Sequence, residues 1–173
     1  MMKRLIAYIL SAVLLLSGCS KGAFYSFESQ QAEEGINFPK NSFTGFCLDA
    51  FDKNGDGALS NEEVRDIRTI DCSGQNLTSV YGAGKFPSLD TLICDKNNIS
   101  FINLSELTRI RYLSCKGNLI EELDLRDMSL GTLICNPMDD ADGNNVLQYI
   151  YLRRGQEFET LDVPDETYII ELP

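Results

Sequence analysis

The chain has 173 residues, with 26 acidic and 15 basic side chains and a formal net charge of −11 at pH 7. This acidity argues against binding to nucleic acid and against electrostatic adhesion to anionic lipid. Histidine and tryptophan are absent, so nucleophile–histidine catalysis and histidine-ligated zinc are excluded. The length is sufficient for one well-buried domain, even after removal of a leader.

Residues 1–18 predict a secretory signal. Lys3 and Arg4 precede an apolar run from Leu5 to Leu16, which is shorter than the ~20 residues needed to span a bilayer. The run ends in Leu-Ser-Gly-Cys, which resembles the lipobox of bacterial lipoproteins. That resemblance implies that Cys19 is lipidated and becomes the first residue after cleavage. A plain cleaved signal with an incidental cysteine is the alternative.

The lipoprotein resemblance implies a membrane anchor of acyl chains at Cys19, with the rest of the chain in solvent. The residues after the cysteine, Ser-Lys-Gly, lack the aspartate that would indicate retention at an inner membrane. We therefore expect the outer membrane or the cell surface. Residues 19–35 are mostly polar and are predicted to form a flexible tether; docking of Phe24, Tyr25 and Phe27 onto the domain is the alternative.

The stretch DKNGDGALSNEE, from Asp52 to Glu63, predicts a calcium-binding loop. Counted from Asp52, oxygen-bearing side chains fall at positions 1, 3, 5, 9 and 12, and glycine falls at position 6. This is the EF-hand pattern, in which one short loop wraps a Ca²⁺ ion that takes about six to eight oxygens. An ordinary surface turn rich in Asp, Asn and Gly is the alternative. The predicted ligands are Asp52, Asn54, Asp56, the backbone carbonyl of Ala58, Ser60 and Glu63.

Two helices are predicted to flank this loop. Apolar residues at helical spacing favour a helix within 36–51, with Asn41 or Ser42 as its N-cap. Ser60 is a plausible N-cap for an exit helix that runs to Ile67. The sequence offers no second ligand set, although EF-hands usually occur in pairs. Residues 36–66 are therefore predicted to be an EF-hand-like N-terminal cap on the region that begins at Ile67.

From Ile67 onward the chain repeats the pattern I/L-x-x-I/L-x-C-x-x-N/Q-x-I/L. It matches the leucine-rich repeat, whose period is about 20–29 residues. We predict an α/β fold: a short leucine-rich-repeat solenoid of about four coils with parallel strands, over residues 67–138. The strands are expected around Ile70, Leu92, Leu113 and Leu133. The repeated cysteines, at spacings of 22, 21 and 20 residues, are Cys72, Cys94, Cys115 and Cys135.

Polar and thiol side chains at fixed repeat positions are expected to lie inside the coils. Asn97 and Asn118 are predicted to turn the chain by bonding to the backbone of neighbouring coils. The repeated cysteines, with Cys47, are predicted to be free, buried thiols that fill the core. Zinc ligation needs close cysteine pairs, which are lacking. A disulfide between neighbouring coils is possible by distance, but parallel side chains point the same way.

The ends of the solenoid need covering. Residues 139–173 are predicted to form a C-terminal β cap, in which strands at Val146–Leu152 and Tyr168–Leu172 flank a polar turn. Across residues 36–136 the chain resembles bacterial leucine-rich-repeat lipoproteins, many from Bacteroidetes, in which an EF-hand-like segment directly precedes the first coil. We expect a surface-anchored, calcium-stabilised protein that is a monomer.

The outward positions of the repeat strands predict a concave binding face for an unknown protein or glycan ligand. An ordinary solvated sheet is the alternative for this face. No motif supports catalysis, so an enzyme is not expected. The other functional alternative is a calcium-responsive sensor or a structural envelope protein. The predicted ligand-binding residues are Thr69, Asp71, Thr91, Ile93, Tyr112, Ser114, Thr132 and Ile134.

Overall fold

The computed structural model of the chain describes residues 36–37, 41–137 and 146–173. The predicted signal, the tether with Cys19, and residues 139–145 of the predicted C-terminal cap lie outside these ranges. The described residues form a parallel-strand β-solenoid of about five turns with few helices. Within them, no helix is both long and apolar enough to cross a membrane.

One side of the solenoid is a five-stranded parallel sheet, here called sheet A. Its central residues, such as Leu92 and Leu113, are fully buried, whereas the residues on either side of them point outward. The four strands predicted from the repeat are all present, each centred on the expected apolar residue. The strands of sheet A are Thr69–Asp71 (β1), Thr91–Ile93 (β2), Tyr112–Ser114 (β3), Thr132–Ile134 (β5) and Thr160–Asp162 (β7).

A second, three-stranded parallel sheet, sheet B, is formed by the return segments of the last three coils. Its strands are Glu122–Asp124 (β4), Tyr149–Arg153 (β6) and Tyr168–Leu172 (β8). The predicted C-terminal strands therefore exist and pair with each other, but as part of the solenoid. β7 lies between them in sequence and joins sheet A, so the coils number about five rather than four.

Four short helices complete the described fold. α1 spans Ser42–Phe51, and Asn41 caps it by accepting a hydrogen bond from the Thr44 N–H at 2.8 Å. α2 spans only Asn61–Val64, shorter than predicted, because the chain must turn and enter β1 a few residues later. The two 3₁₀ helices lie on the return segments of the first two coils, at Ala83–Lys85 and Leu104–Glu106.

The hydrophobic core is continuous from α1 through the last coil. Phe43 and Cys47 of α1 are buried in the same cluster as Ile70 of the first strand. Phe51 meets Phe86 of the first coil edge to face, with ring centroids 5.7 Å apart. Such aromatic pairs add to the free energy gained by burial. The segment before the repeats is thus packed onto the first coil.

The predicted interior side chains behave as expected. Asn97 accepts hydrogen bonds from the N–H groups of Gln75 and Leu77 at 3.0 and 2.9 Å, and it donates to the Cys72 carbonyl at 3.0 Å. Asn118 repeats this role one coil later. The five cysteines among the described residues are free and buried, as predicted for core thiols.

Candidate functional site

The outward face of sheet A is built from two rows of side chains, one on each side of the buried central row. Adjacent strands in a sheet lie about 4.8 Å apart, so each row is a closely spaced ladder. The two rows contain ten residues in all, and we call this set the sheet-A face. The first row is Thr69, Thr91, Tyr112, Thr132 and Thr160; the second is Asp71, Ile93, Ser114, Ile134 and Asp162.

Most of the residues predicted to bind a ligand are brought together on this face. Thr69 and Asp71, on the first strand, are exposed. Thr91, Ile93, Tyr112, Thr132 and Ile134 are half-buried, because each is flanked by strands on both sides. The face therefore mixes hydroxyl, aromatic and aliphatic groups that remain accessible.

Ser114 departs from the prediction. It is only 2% exposed, and its hydroxyl donates to the Asp95 carboxylate at 2.7 Å. The same carboxylate accepts the Lys116 backbone N–H at 3.0 Å and lies 3.3 Å from the Lys116 ammonium. Ser114 therefore serves the packing of neighbouring coils, and its hydroxyl is already engaged within the chain.

Large exposed apolar side chains lie elsewhere on the described surface. Tyr149 and Tyr168 sit side by side on the outer face of sheet B, with ring centroids 5.9 Å apart. Sequence reasoning missed this surface, because the two residues belong to different coils and meet only through the β6–β8 pairing. The large apolar residues that are clearly exposed are Tyr81, Phe101, Leu119, Tyr149, Tyr168 and Ile169.

The loop from Asp52 to Glu63 is folded around its own acidic and amide side chains. Asp52 accepts the N–H groups of Gly55 and Gly57 at 2.7 and 2.8 Å. Asn54 accepts the Asp56 N–H, and Asp56 accepts the Ala58 N–H, both at 2.9 Å. Gly55 and Gly57 have φ of 71° and 80°, values that glycine adopts without strain.

Glu63 closes the loop from its far end. One carboxylate oxygen accepts the Lys53 N–H at 2.8 Å, and the other accepts the Ser60 N–H and hydroxyl, both at 2.9 Å. These bonds stabilise the charged form, so Ser60 first, and then Lys53 and Asn54, lower the pKa of this carboxyl below its usual value. Glu63 is 8% exposed, and its capping box with Ser60 starts α2.

The loop's donor set is chemically suited to a hard cation. The predicted ligands are all oxygen donors and include three carboxylates, as Ca²⁺ prefers. Within the described residues, however, no three His, Cys, Asp or Glu side chains are gathered closely enough to hold a metal. Asp52, Asp56 and Glu63 bind groups of the loop instead. Each oxygen of Asp52 and Asp56 accepts one hydrogen bond and retains a further lone pair for an ion, whereas each Glu63 oxygen already accepts two and would have to exchange one of them. The chemistry of the site fits calcium, and binding would require these side chains to converge.

The parallel strands, the short coils and the internal asparagine ladder define a class of protein. Together they fit a leucine-rich-repeat protein, in which each repeat contributes one strand and one return segment to a solenoid. No model of a known protein family matches the chain.

One similar protein is Internalin J from Listeria monocytogenes serotype 4b (strain F2365). The two are 30% identical over 71 residues, which is 41% of this chain. The matched region is only 8% of the Listeria protein's length. The similarity is weak and partial, and it agrees with the leucine-rich-repeat architecture.

Proposed function

We propose that this chain is a non-enzymatic interaction module that binds a protein or glycan through the sheet-A face. The observation that carries the proposal is that five strands present one continuous, accessible face of mixed hydroxyl, aromatic and aliphatic side chains. Such mixtures suit recognition, because the apolar groups contribute affinity and the hydroxyls contribute orientation. The similarity to a leucine-rich-repeat protein supports the same role.

Protein and glycan arrays probed with the full chain test this function. The double variant Tyr112→Thr with Ile134→Thr removes the aromatic ring and one of the two isoleucines from the face but keeps side chains that favour strands. The matched control is Leu119→Thr, which removes an exposed apolar side chain away from sheet A. We expect the double variant to lose array binding and the control to keep it. Equal binding by the two would refute the role of the sheet-A face.

We further propose that a calcium ion stabilises the segment before the repeats. The loop pattern and its oxygen donors support this, and Asp52, Asn54, Asp56, Ser60 and Glu63, with the Ala58 carbonyl, would hold the ion. A lone loop of this type should bind weakly, with Kd of about 10⁻⁴–10⁻³ M. At a calcium concentration ten times Kd, the gain in folding free energy would be about 1.4 kcal/mol. That gain suits a structural staple better than a sensor, which is the alternative.

The protein is proposed to act outside the cytoplasm, held to the outer membrane or cell surface by acyl chains on Cys19. The support is the sequence at residues 1–19, with its basic start, apolar run and lipobox-like end. Cys19→Ser should abolish incorporation of labelled fatty acid and release the protein from the membrane fraction of a bacterial host. Retention of label in that variant would contradict the anchor.

A further inference from the structure

Sheet B carries a second candidate surface, formed by side chains that the sheet-A function does not use. Tyr149 and Tyr151 point to the same side of β6, and Tyr168 lies beside Tyr149 on β8. The ring of Tyr149 is 6.4 Å from that of Tyr151 and 5.9 Å from that of Tyr168, with interplanar angles of 23° and 25°. Three nearly parallel rings thus form one cluster, here called the tyrosine cluster.

A groove of about 600 Å³ borders this cluster at Tyr151, the cluster residue that lines it. One wall comes from the return segment of the second coil, where Phe101 is 66% exposed. The other wall comes from β4 and from Tyr151 and Leu172 on the outer face of sheet B. Buried apolar residues, including Ile102 and Met128, line its base.

The groove runs along an open strand edge. In sheet B the order is β4-β6-β8, so β4 pairs on one side only among the described strands. Its other side faces the return segment of the second coil across the groove. A sheet edge of this kind can accept an extended peptide as an added strand.

The charge around the groove is negative. Glu122, Asp124 and Asp127 line it, whereas Arg126 is the one basic lining residue. Arg126 is already engaged by Asp124, with nitrogen–oxygen distances of 2.9 and 2.6 Å. The three carboxylates outnumber the single guanidinium, so the groove keeps a net negative charge, and Glu122 is in register with Tyr149 on the next strand.

We propose that this groove binds an extended segment of a partner protein that carries lysine or arginine side chains. The open edge of β4 supplies backbone hydrogen bonds, Tyr151 offers a π face to the cations where the cluster borders the groove, and the excess of carboxylates offers negative charge. A second copy of this chain is a poor occupant, because it carries the same net charge of −11. The site is distinct from the sheet-A face, so the two can be tested separately.

The test measures fluorescence anisotropy of a labelled peptide, acetyl-Lys-Val-Lys-Val-Lys-Val-Lys-amide, with the full chain. The comparison peptide has glutamate in place of every lysine, and a third has N-methylated valines that block strand pairing. The protein variants are Tyr149→Thr with Tyr151→Thr, the same pair changed to Phe, and Glu122→Gln. The control is Tyr112→Thr, which alters only the sheet-A face, and circular dichroism checks that each variant is folded.

We expect the lysine peptide to bind more tightly than the glutamate and N-methylated peptides. Changing Tyr149 and Tyr151 to Thr (the Thr pair) should weaken binding at least about fivefold, because the cation–π contacts are lost. Changing them to Phe (the Phe pair) keeps the rings and should therefore keep the binding. Glu122→Gln should weaken binding, and Tyr112→Thr should leave it unchanged. Equal binding of the lysine and glutamate peptides, or no effect of Glu122→Gln and the Thr pair, overturns the proposal. If the Thr pair does not fold, the Phe pair, Glu122→Gln and the peptide series still decide it.

Discussion

Asn97 and Asn118 converge on one acceptor: each donates its side-chain amide to the Cys94 carbonyl at 2.9 Å. Asn97 belongs to the same coil as Cys94 and also reaches back to the first coil, whereas Asn118 comes from the next coil. The two amides are 6% and 1% exposed. A single buried carbonyl thus joins two rungs of a polar ladder that holds successive coils in register.

Asn97→Ala should strongly destabilise the fold. It removes the acceptor for the Gln75 and Leu77 N–H groups and the donor to the Cys72 carbonyl. Leaving buried polar groups unsatisfied costs about 1–3 kcal/mol each, so we expect a total loss of about 3 kcal/mol or more. Urea denaturation measures this, with exposed Asn98→Ala as the control, expected within about 0.5 kcal/mol of the wild type. Equal midpoints for the two variants would show that the ladder contributes little.

Gly84→Ala should also destabilise the fold, because the added methyl group would clash with Glu106. Gly84 lies in the first 3₁₀ helix, and a Cβ there would come within 2.6 Å of Glu106 Cβ and 2.9 Å of the Glu106 carbonyl oxygen. Backbone must move to admit it, at a cost of about 1–3 kcal/mol.

Gly45→Ala is the matched comparison. Gly45 lies inside α1, and a Cβ there would meet nothing within 4 Å. The change should stabilise the protein by about 0.5–1 kcal/mol, because alanine favours the helix. Thermal melting of both variants checks the pair. A melting temperature for Gly84→Ala at or above that of the wild type would contradict the close packing of the first two return segments.

The solenoid could be predicted because the same burial recurs in every coil. Leu92, Leu113 and Leu133 occupy one repeat position, and their strands pair in register. The fifth strand was missed because Leu161 follows Leu133 by 28 residues, whereas the central residues of the earlier sheet-A strands follow one another at spacings near 20 residues. The signal was nevertheless present, since FETLDV at 158–163 matches the L-x-x-L-x-L pattern.

The binding surfaces were harder to predict than the strands. The repeat shows which side of sheet A a residue occupies, but it does not show whether a neighbouring loop covers it. Ser114 illustrates this, because Asp95 from the preceding coil engages its hydroxyl. Tyr149 and Tyr168 illustrate the opposite case, an exposed surface that the sequence does not reveal. They belong to different strands, and only the pairing of β6 with β8 places them side by side.

The core thiols should be unreactive in the folded protein. Burial, and then the neighbouring Cys72 thiol, raises the pKa of Cys47 to about 12, and burial and then Asp71 raise that of Cys72 to about 12. The thiolate is the reactive form, so little of either thiol reacts near pH 8. In a Cys19→Ser background, Ellman's reagent should label these thiols rapidly only in denaturant. Ser129→Cys supplies an exposed thiol as the positive control, and equally fast labelling of the native core would show that the solenoid opens readily.

Glu63 should make the folding stability of the protein decrease as the pH becomes acidic. Its pKa is lowered in the folded state from the ordinary value of 4.5, with the Ser60 hydrogen bonds first among the causes. A lowered pKa contributes stability that is present above 4.5 and is lost as the pH falls through the folded-state value. Glu63→Gln should therefore lower the melting temperature at pH 7 and flatten its decline below pH 4.5. The neighbouring exposed Glu62→Gln should change neither property, and parallel pH curves for the two variants would contradict this role.

The same two variants test the calcium staple. If Glu63 supplies ligand oxygens, added calcium should raise the melting temperature of the wild type and of Glu62→Gln, but not of Glu63→Gln. The comparison is matched, because Glu62 lies next to Glu63 in α2 yet falls outside the predicted ligand positions. Differential scanning calorimetry in millimolar calcium and in chelator measures the difference. Identical wild-type melting with and without calcium would exclude a stabilising role for the ion, while the loop's own hydrogen bonds to Asp52 and Glu63 would still explain its shape.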